Sequence, residues 1–389
     1  MISGKFNAVT DGQWGSTGKG LFTSYLAWRH RPAFISTTNM ANAGHCAVNT
    51  DGEVYVAKAL PSAAVLNRWV DNYNPMVVVG PSAAFNLQQL LKEAEHCDLT
   101  NSQLWVHPRA GVITQEHAER EAGIGDGSTK HIGSTMQGCG TFLADKVLRK
   151  RDLKLARDYS ELYNFLHLQT GQEGKNYDPD YDPMPLKLLS HMDMGRTILH
   201  EGSQGFSLDI QHGSHYPECT SRSTTATQNL TDMGLPFTHM GDVYLVIRPY
   251  PIRVGNVIED GKMVGYSGDA YNGQSELTWE QVADMGGLPE EEKRALLNKE
   301  LTTVTKRLRR VFTFSSRQVR EAAKVNGATK IALNFANYID WNCHHTNDRT
   351  KLTAKVKDFI RTVEDATQTP VTLVGTGPQL DHVIDLETR

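Results

Sequence analysis

The chain has 389 residues, long enough to bury a large core, with 39% hydrophobic and 22% charged residues. A formal net charge of −4 excludes the broadly basic face of a duplex-binding protein, so no nucleic-acid partner is expected. No apolar run reaches the ~18 residues that span a membrane. Five scattered cysteines without a CxxC pair argue against structural zinc, and a start lacking a basic and then apolar segment predicts a cytoplasmic protein.

In chain order, the alternating run over residues 5–10 predicts a strand, and the apolar spacing of 21–28 predicts a helix. Between them lies Gly12-Gln13-Trp14-Gly15-Ser16-Thr17-Gly18-Lys19-Gly20. Strand, Gly-rich loop and helix in that order suit a phosphate cradle. Glycines let backbone N–H groups crowd an anion at a helix N-terminus, and Lys19 adds a point charge. The standard phosphate loop is matched only in part. Gly12 is one residue too far from Gly18-Lys19, and Gly20 stands where a Ser or Thr would hold magnesium. A plain Gly-rich turn is the competing reading.

Short strands are predicted at 34–38, 54–60, 76–80 and 104–106, with a helix from Pro81-Ser82 to about residue 95. After the second strand comes Asn42-Ala43-Gly44-His45, either a polar turn or a carbonyl and an imidazole set beside a reacting phosphate. Residues 122–141 are dense in Gly, Ser and Thr and suggest a linker or a second anion-binding loop. Residues 176–185, with two Asp-Pro pairs, predict a polar surface loop. A strand at 197–200 delivers Glu201-Gly202-Ser203-Gln204-Gly205. His212 with His215, and Cys343-His344-His345, lack a further ligand at metal-site spacing. A buried strand is predicted at 243–247 and a mobile loop at 261–274. The basic cluster Lys306-Arg307-Leu308-Arg309-Arg310 has the form of a solvated helix face. Strands at 331–333 and 371–374 flank a last helix at 352–366, and the second opens Gly375-Thr376-Gly377-Pro378.

Strands alternating with helices predict an α/β fold, a single large domain over 1–389 with a mostly parallel central sheet flanked by helices. Loops at the carboxyl ends of such strands converge on one cleft.

Eight motifs in register resemble the adenylosuccinate synthase family. They are the Gly12 loop, Asn42-Ala43-Gly44-His45, Gly133-Ser134-Thr135, Asp145-Lys146-Val147 with Arg149, and Glu201-Gly202-Ser203-Gln204-Gly205 with Leu208-Asp209-Ile210. Arg253-Val254-Gly255, residues 305–310 and Thr376-Gly377-Pro378 complete the set. The resemblance implies a two-step ligase: a nucleoside triphosphate phosphorylates the purine O6, and the aspartate amine then displaces that phosphate at C6. It places Gly15, Ser16, Thr17, Gly18, Lys19 and Gly20 on the triphosphate, with Asn334, Phe335, Ala336, Gly375, Gly377 and Pro378 around its base. His45 and Lys19 would act on the transferring phosphoryl group, and Gln204 would polarise O6. Mg2+ would be held by Ser16 and the Gly44 carbonyl. Asn42, Ser134, Thr135 and Thr220 would hold the nucleotide 5′-phosphate, with Arg149 reaching it from the other subunit of a homodimer. Arg307 and Arg309 would clamp the aspartate carboxylates, a role that displaces the solvated-face reading. Val254, Thr303, Val304 and Thr305 join the substrate-binding set.

Two departures stand out. The family carries Asp-Glu where this chain has Ser16-Thr17, and that Asp is the family's catalytic base. Its guanine-reading Lys-x-Asp is here Asn334-Phe335-Ala336, so restoring aspartate at 336 is expected to favour GTP. Together they resemble the viral branch of the family that uses dGMP, L-aspartate and ATP. Rival readings are a divergent enzyme still acting on IMP, and a nucleotide-binding regulator without catalysis.

Overall fold

The computed structural model describes residues 1–123, 129–166, 183–302 and 306–387. Its central sheet has nine strands: β1 (Phe6–Asp11), β2 (Phe34–Thr37), β3 (Met76–Val79), β4 (Leu104–Val106), β5 (Ile198–Glu201), β6 (Met240–Ile247), β7 (Lys330–Leu333), β8 (Val371–Gly375) and β9 (Val383–Asp385). Their spatial order is β9-β8-β7-β6-β1-β5-β2-β3-β4. Every pairing is parallel except β8 with β9. The expected mostly parallel α/β sheet is therefore present.

Parallel sheets are covered on both faces, which is why the central strands β1, β2 and β5 are buried along their whole length, polar residues included. Successive side chains point to opposite faces. Val9, Ile35, Leu199, Tyr244, Val246 and Ala332 pack against Leu21, Phe22 and Leu26 of helix α1 (Lys19–His30). Phe6, Ala8, Phe34 and Ile198 point the other way, onto the helices Met184–Asp193 and Ala226–Asp232. On that same face Leu245, Ile247, Ile331 and Leu333 meet the helices Ser316–Asn326 and Ala354–Thr367.

Several boundaries differ from the sequence expectation. The helix expected from Pro81 begins at Leu87, because Ala84–Phe85 first pairs with Gly111–Val112 and Asn86 then caps the helix through its Oδ1. Residues expected as a mobile loop after Gly261 include the strand Lys262–Gly265, hairpinned onto Val257–Glu259. The basic cluster is no helix: Arg310–Phe312 is the middle strand of a small antiparallel sheet with Ile252–Arg253 and Glu276–Leu277. The predicted loop at 176–185 lies outside the described residues up to 182.

Candidate functional site

Three central strands end in the loops that matter most. β1 delivers the Gly-rich loop, β5 delivers Gln204, and β2 leads to Asn42 and His45. The Gly-rich loop is built on Asp11, the last residue of β1. Asp11 Oδ1 accepts from the backbone N–H of Gln13 (2.8 Å) and Gly15 (3.2 Å). Oδ2 accepts from the Thr17 hydroxyl and from Lys19 Nζ at 3.1 Å. The Asp11 carboxylate is fully enclosed, so it braces the loop from beneath. Lys19 Nζ also donates to the Gln204 carbonyl at 2.9 Å, tying the loop to the end of β5. Gln13 exchanges two 3.0 Å hydrogen bonds with the backbone of Arg248, fixing the loop to the end of β6.

Glycine is required where backbones meet. A Cβ on Gly20 would lie 2.4 Å from the Cys46 carbonyl oxygen, so α1 presses its first turn on the strand His45–Val48. That contact accounts for glycine where a standard phosphate loop has Ser or Thr. A Cβ on Gly205 would meet the Gln13 oxygen at 2.3 Å. Ser16 and Gln204 are non-glycine residues at φ 51° and 60°, a strained backbone held by its surroundings on both sides of the cleft.

These loops line one cleft of about 570 Å³ across the carboxyl ends of the strands. Gly15, Ser16, Gly18, Lys19 and Gly20 form its floor. Asn42, Gly44, His45, Thr135 and Gln204 stand on the β5–β2 side, and Asn334, Phe335, Gly377 and Pro378 on the β7–β8 side. Val254 and Arg309 also face the cleft.

His45 Nδ1 lies 2.7 Å from Glu201 Oε1. Ser62 completes the cage, donating to Glu201 through its N–H (3.0 Å) and its hydroxyl. Burial pushes the Glu201 carboxyl up, but His45 and both Ser62 donors outweigh it and hold the group below its ordinary value. The anionic carboxylate fixes the ring through Nδ1, and Nε2 makes no hydrogen bond among the described residues.

A second buried carboxylate organises the far wall. Glu300 accepts from Arg248 Nη2 (3.1 Å), Tyr338 Oη (3.0 Å) and Arg309 Nη1 (3.4 Å). Burial raises its carboxyl and the two arginines more than reverse that, so it stays charged. Arg248 also donates to the Ser16 carbonyl (3.2 Å), its guanidinium 4.1 Å from the centre of the Phe335 ring. Arg309 keeps a buried Nε without a partner, an open edge for another carboxylate.

Other expected site residues lie off the cleft. Thr17 is turned down onto Asp11. Gly375 is the buried end of β8, where a Cβ would strike Asn334 Oδ1 at 2.3 Å. Ala336 is wholly enclosed in the core, so aspartate there would be a buried, unpaired carboxylate instead of a guanine reader. Arg307 donates to the carbonyls of Gly133 and Ser134, both at 3.1 Å, and so stands behind the Thr135 loop. Thr220 bonds the Leu208 carbonyl outside the cleft. Arg149 is exposed at φ 55°, just past the helix Cys139–Val147. Thr303, Val304 and Thr305 lie outside the described residues.

Asp11, Arg248, Glu300 and Asn337 were not singled out from the sequence. Asp11 and Arg248 each sit at the end of a central strand, a signal that was available. Glu300 and Asn337 carried none, since their partners and exposure are set by the fold. Among the described residues no group of three or more His, Cys, Asp or Glu is placed to hold a metal, and no helix is long and apolar enough to cross a membrane. The oxygen donors Ser16 and Gly44 fit Mg2+, which keeps water and phosphate ligands and needs few from protein.

The adenylosuccinate synthetase model matches residues 8–165 and 169–341. The N6-succino-2-amino-2'-deoxyadenylate synthase of Acinetobacter phage SH-Ab 15497 is 36% identical over 351 residues, covering 86% of this chain and 84% of that protein. The adenylosuccinate synthetase of Archaeoglobus fulgidus is 32% identical over 379 residues, 97% of each. The solved succinoaminodeoxyadenylate synthetase of cyanophage S-2L, bound to dGMP and dATP as an energy donor, superposes with a TM-score of 0.77 at 31% identity, covering 100% of this chain and 97% of that one. With its Gly-rich loop, His45 and Gln204 gathered in one cleft on such a sheet, the chain belongs to the adenylosuccinate synthetase family.

Proposed function

We propose that this chain joins L-aspartate to C6 of dGMP at the expense of ATP, through a 6-phosphoryl intermediate, giving N6-succino-2-amino-2'-deoxyadenylate. The observation that carries the reading is Ser16. It is exposed in the cleft at the tip of the loop, and its hydroxyl makes no hydrogen bond among the described residues. A short neutral side chain there leaves room for the 2-amino group of guanine beside N1. The names of the phage relatives, and the dGMP in the cyanophage complex, support the same substrate.

In the first step the purine O6 attacks the γ-phosphorus as N1 gives its proton to solvent, and ADP departs. His45, oriented by Glu201, donates from Nε2 to the moving phosphoryl oxygens, and Lys19 meets the same charge. Gln204 hydrogen-bonds O6. Mg2+ held by Ser16 and the Gly44 carbonyl would neutralise phosphate charge. In the second step the aspartate amine attacks C6 and inorganic phosphate leaves. The open edge of Arg309 holds an aspartate carboxylate, and Arg307 joins it by exchanging its two carbonyl partners.

Asn42 and Thr135 take the 5′-phosphate in this reading; the Asn42 side chain lines the cleft and makes no hydrogen bond among the described residues, so its Nδ2 can donate to a phosphate oxygen. Arg149 completes that site across a homodimer, supported by its exposed neighbours Val147 (76%) and Leu148 (67%). Phosphate release with aspartate, ATP and either dGMP or IMP tests the proposal. Turnover with dGMP well above IMP is expected. Preference for IMP would establish the second reading, a divergent adenylosuccinate synthetase, which the full-length similarity to the Archaeoglobus protein favours.

A further inference from the structure

Asn337 is 8% exposed, and its side-chain amide forms no hydrogen bond among the described residues. It nevertheless lines the cleft. An amide with no protein partner keeps its donors and its acceptor for a ligand, and the surface that this one lines is the cleft. Its neighbours cannot serve. Asn334 donates to the Thr17 carbonyl (3.0 Å) and accepts from the Phe335 N–H (2.9 Å). Phe335, at φ 57°, lays its ring on Arg248, and Ala336 is in the core.

The surroundings are flat. Trp341 stacks on His344 with ring centres 4.3 Å apart, and His345 stacks on His382 at 4.4 Å. Trp341 and His345 both face the cleft, with Pro378 opposite the loop floor. Glycine at 377 keeps this end open, because a Cβ there would lie 2.5 Å from both imidazoles. The phosphate loop separates this end from Gln204 and His45, since β7 and β8 lie on one side of β1 and β5 and β2 on the other.

We propose that Asn337 reads the base of the nucleoside triphosphate and selects adenine. This rests on the reading of the cleft as a site for two nucleotides, one on each side of the loop. An amide offers one donor and one acceptor, matching adenine N1 and its 6-amino group. A carboxylate accepts only, and suits the N1–H and 2-amino group of guanine. The amide can turn to meet guanine O6 and N1–H but leaves the 2-amino group unserved, so ATP binds ahead of GTP.

The test is calorimetric affinity for ATP and for GTP, which needs no turnover, in wild type, Asn337→Ala and Asn337→Asp. Asn337→Ala is expected to weaken ATP about tenfold or more, the value of a bidentate base contact. Asn337→Asp is expected to raise the GTP-to-ATP affinity ratio by about tenfold or more, a gain that misfolding cannot produce. The inference is overturned if both variants keep the wild-type ratio, or if wild type binds neither triphosphate. Tight ATP binding that depends on Asn337 without turnover on dGMP or IMP would overturn the proposed function alone.

Discussion

Ser16 sets the substrate question at the scale of a single side chain. Ser16→Asp would put a carboxylate at the loop tip, where the proposed function sets N1 and C2 of the purine. For guanine, crowding of the 2-amino group opposes the hydrogen bonds that a carboxylate could accept. Overfilling a packed site typically costs about 1–3 kcal/mol, so dGMP should lose. IMP carries only hydrogen at C2 and gains a base. Comparing kcat/KM for both nucleotides in both proteins checks this; an unchanged dGMP-to-IMP ratio would be falsifying. His45 gives a second expectation, a kcat about 10²–10³ lower in His45→Ala with dGMP affinity kept. Glu201→Gln tests the orienting carboxylate, because it removes the charge beside the His45 ring while keeping the shape. Its kcat should fall while dGMP affinity is kept. A wild-type kcat would leave Glu201 with packing alone. The fate of Ala336 shows where residue-level reading ends. The chain turns so that 336 enters the core and 337 meets the cleft.

Elements were legible in proportion to how strongly their pattern repeats. β3 and the Val243–Ile247 part of β6 are unbroken apolar runs, so both were readable. The strand Arg310–Phe312 was not, because its two-residue neighbours lie far away in sequence. The Gly-rich loop was readable as a loop, but the carboxylate beneath it was not, since Asp11 gains its role only when Thr17 and Lys19 fold over it. The pair of helices Gln115–Glu121 and Cys139–Val147 carries a prediction of its own. Arg120 clamps Asp145 through bonds of 2.6 and 3.0 Å, and Lys150 adds a contact at 2.8 Å. The Arg120 hydrogen bonds hold the Asp145 carboxyl down to about 2, against an ordinary 3.8. A depressed carboxyl stabilises the fold above its unfolded value, and that contribution fades as pH falls through its folded value. The melting-temperature gap between wild type and Asp145→Asn should therefore be full near neutral pH. It should close as pH drops from about 4 to about 2. A gap independent of pH would show that the clamp contributes shape without charge.

For the molecule as a whole, the proposed homodimer with Arg149 crossing to its partner is the point to test. Arg149→Leu and Lys19→Ala should each be inactive alone, and mixing them should recover activity, because a hybrid dimer retains one intact site. No recovery despite proven subunit exchange would count against Arg149 crossing between subunits. The order of strands has one further consequence, in the time it takes to make the protein. β1 pairs with β5 and β6, through Phe6 with Ile198 and Phe6 with Met240. At roughly 5–20 residues per second, the first strand waits about 10–40 s on the ribosome before either neighbour exists. Throughout that interval its apolar residues Phe6, Ala8 and Val9 have no sheet to join. The phosphate loop hangs from this strand, so one of the first functional segments to be synthesised is among the last to take its working shape.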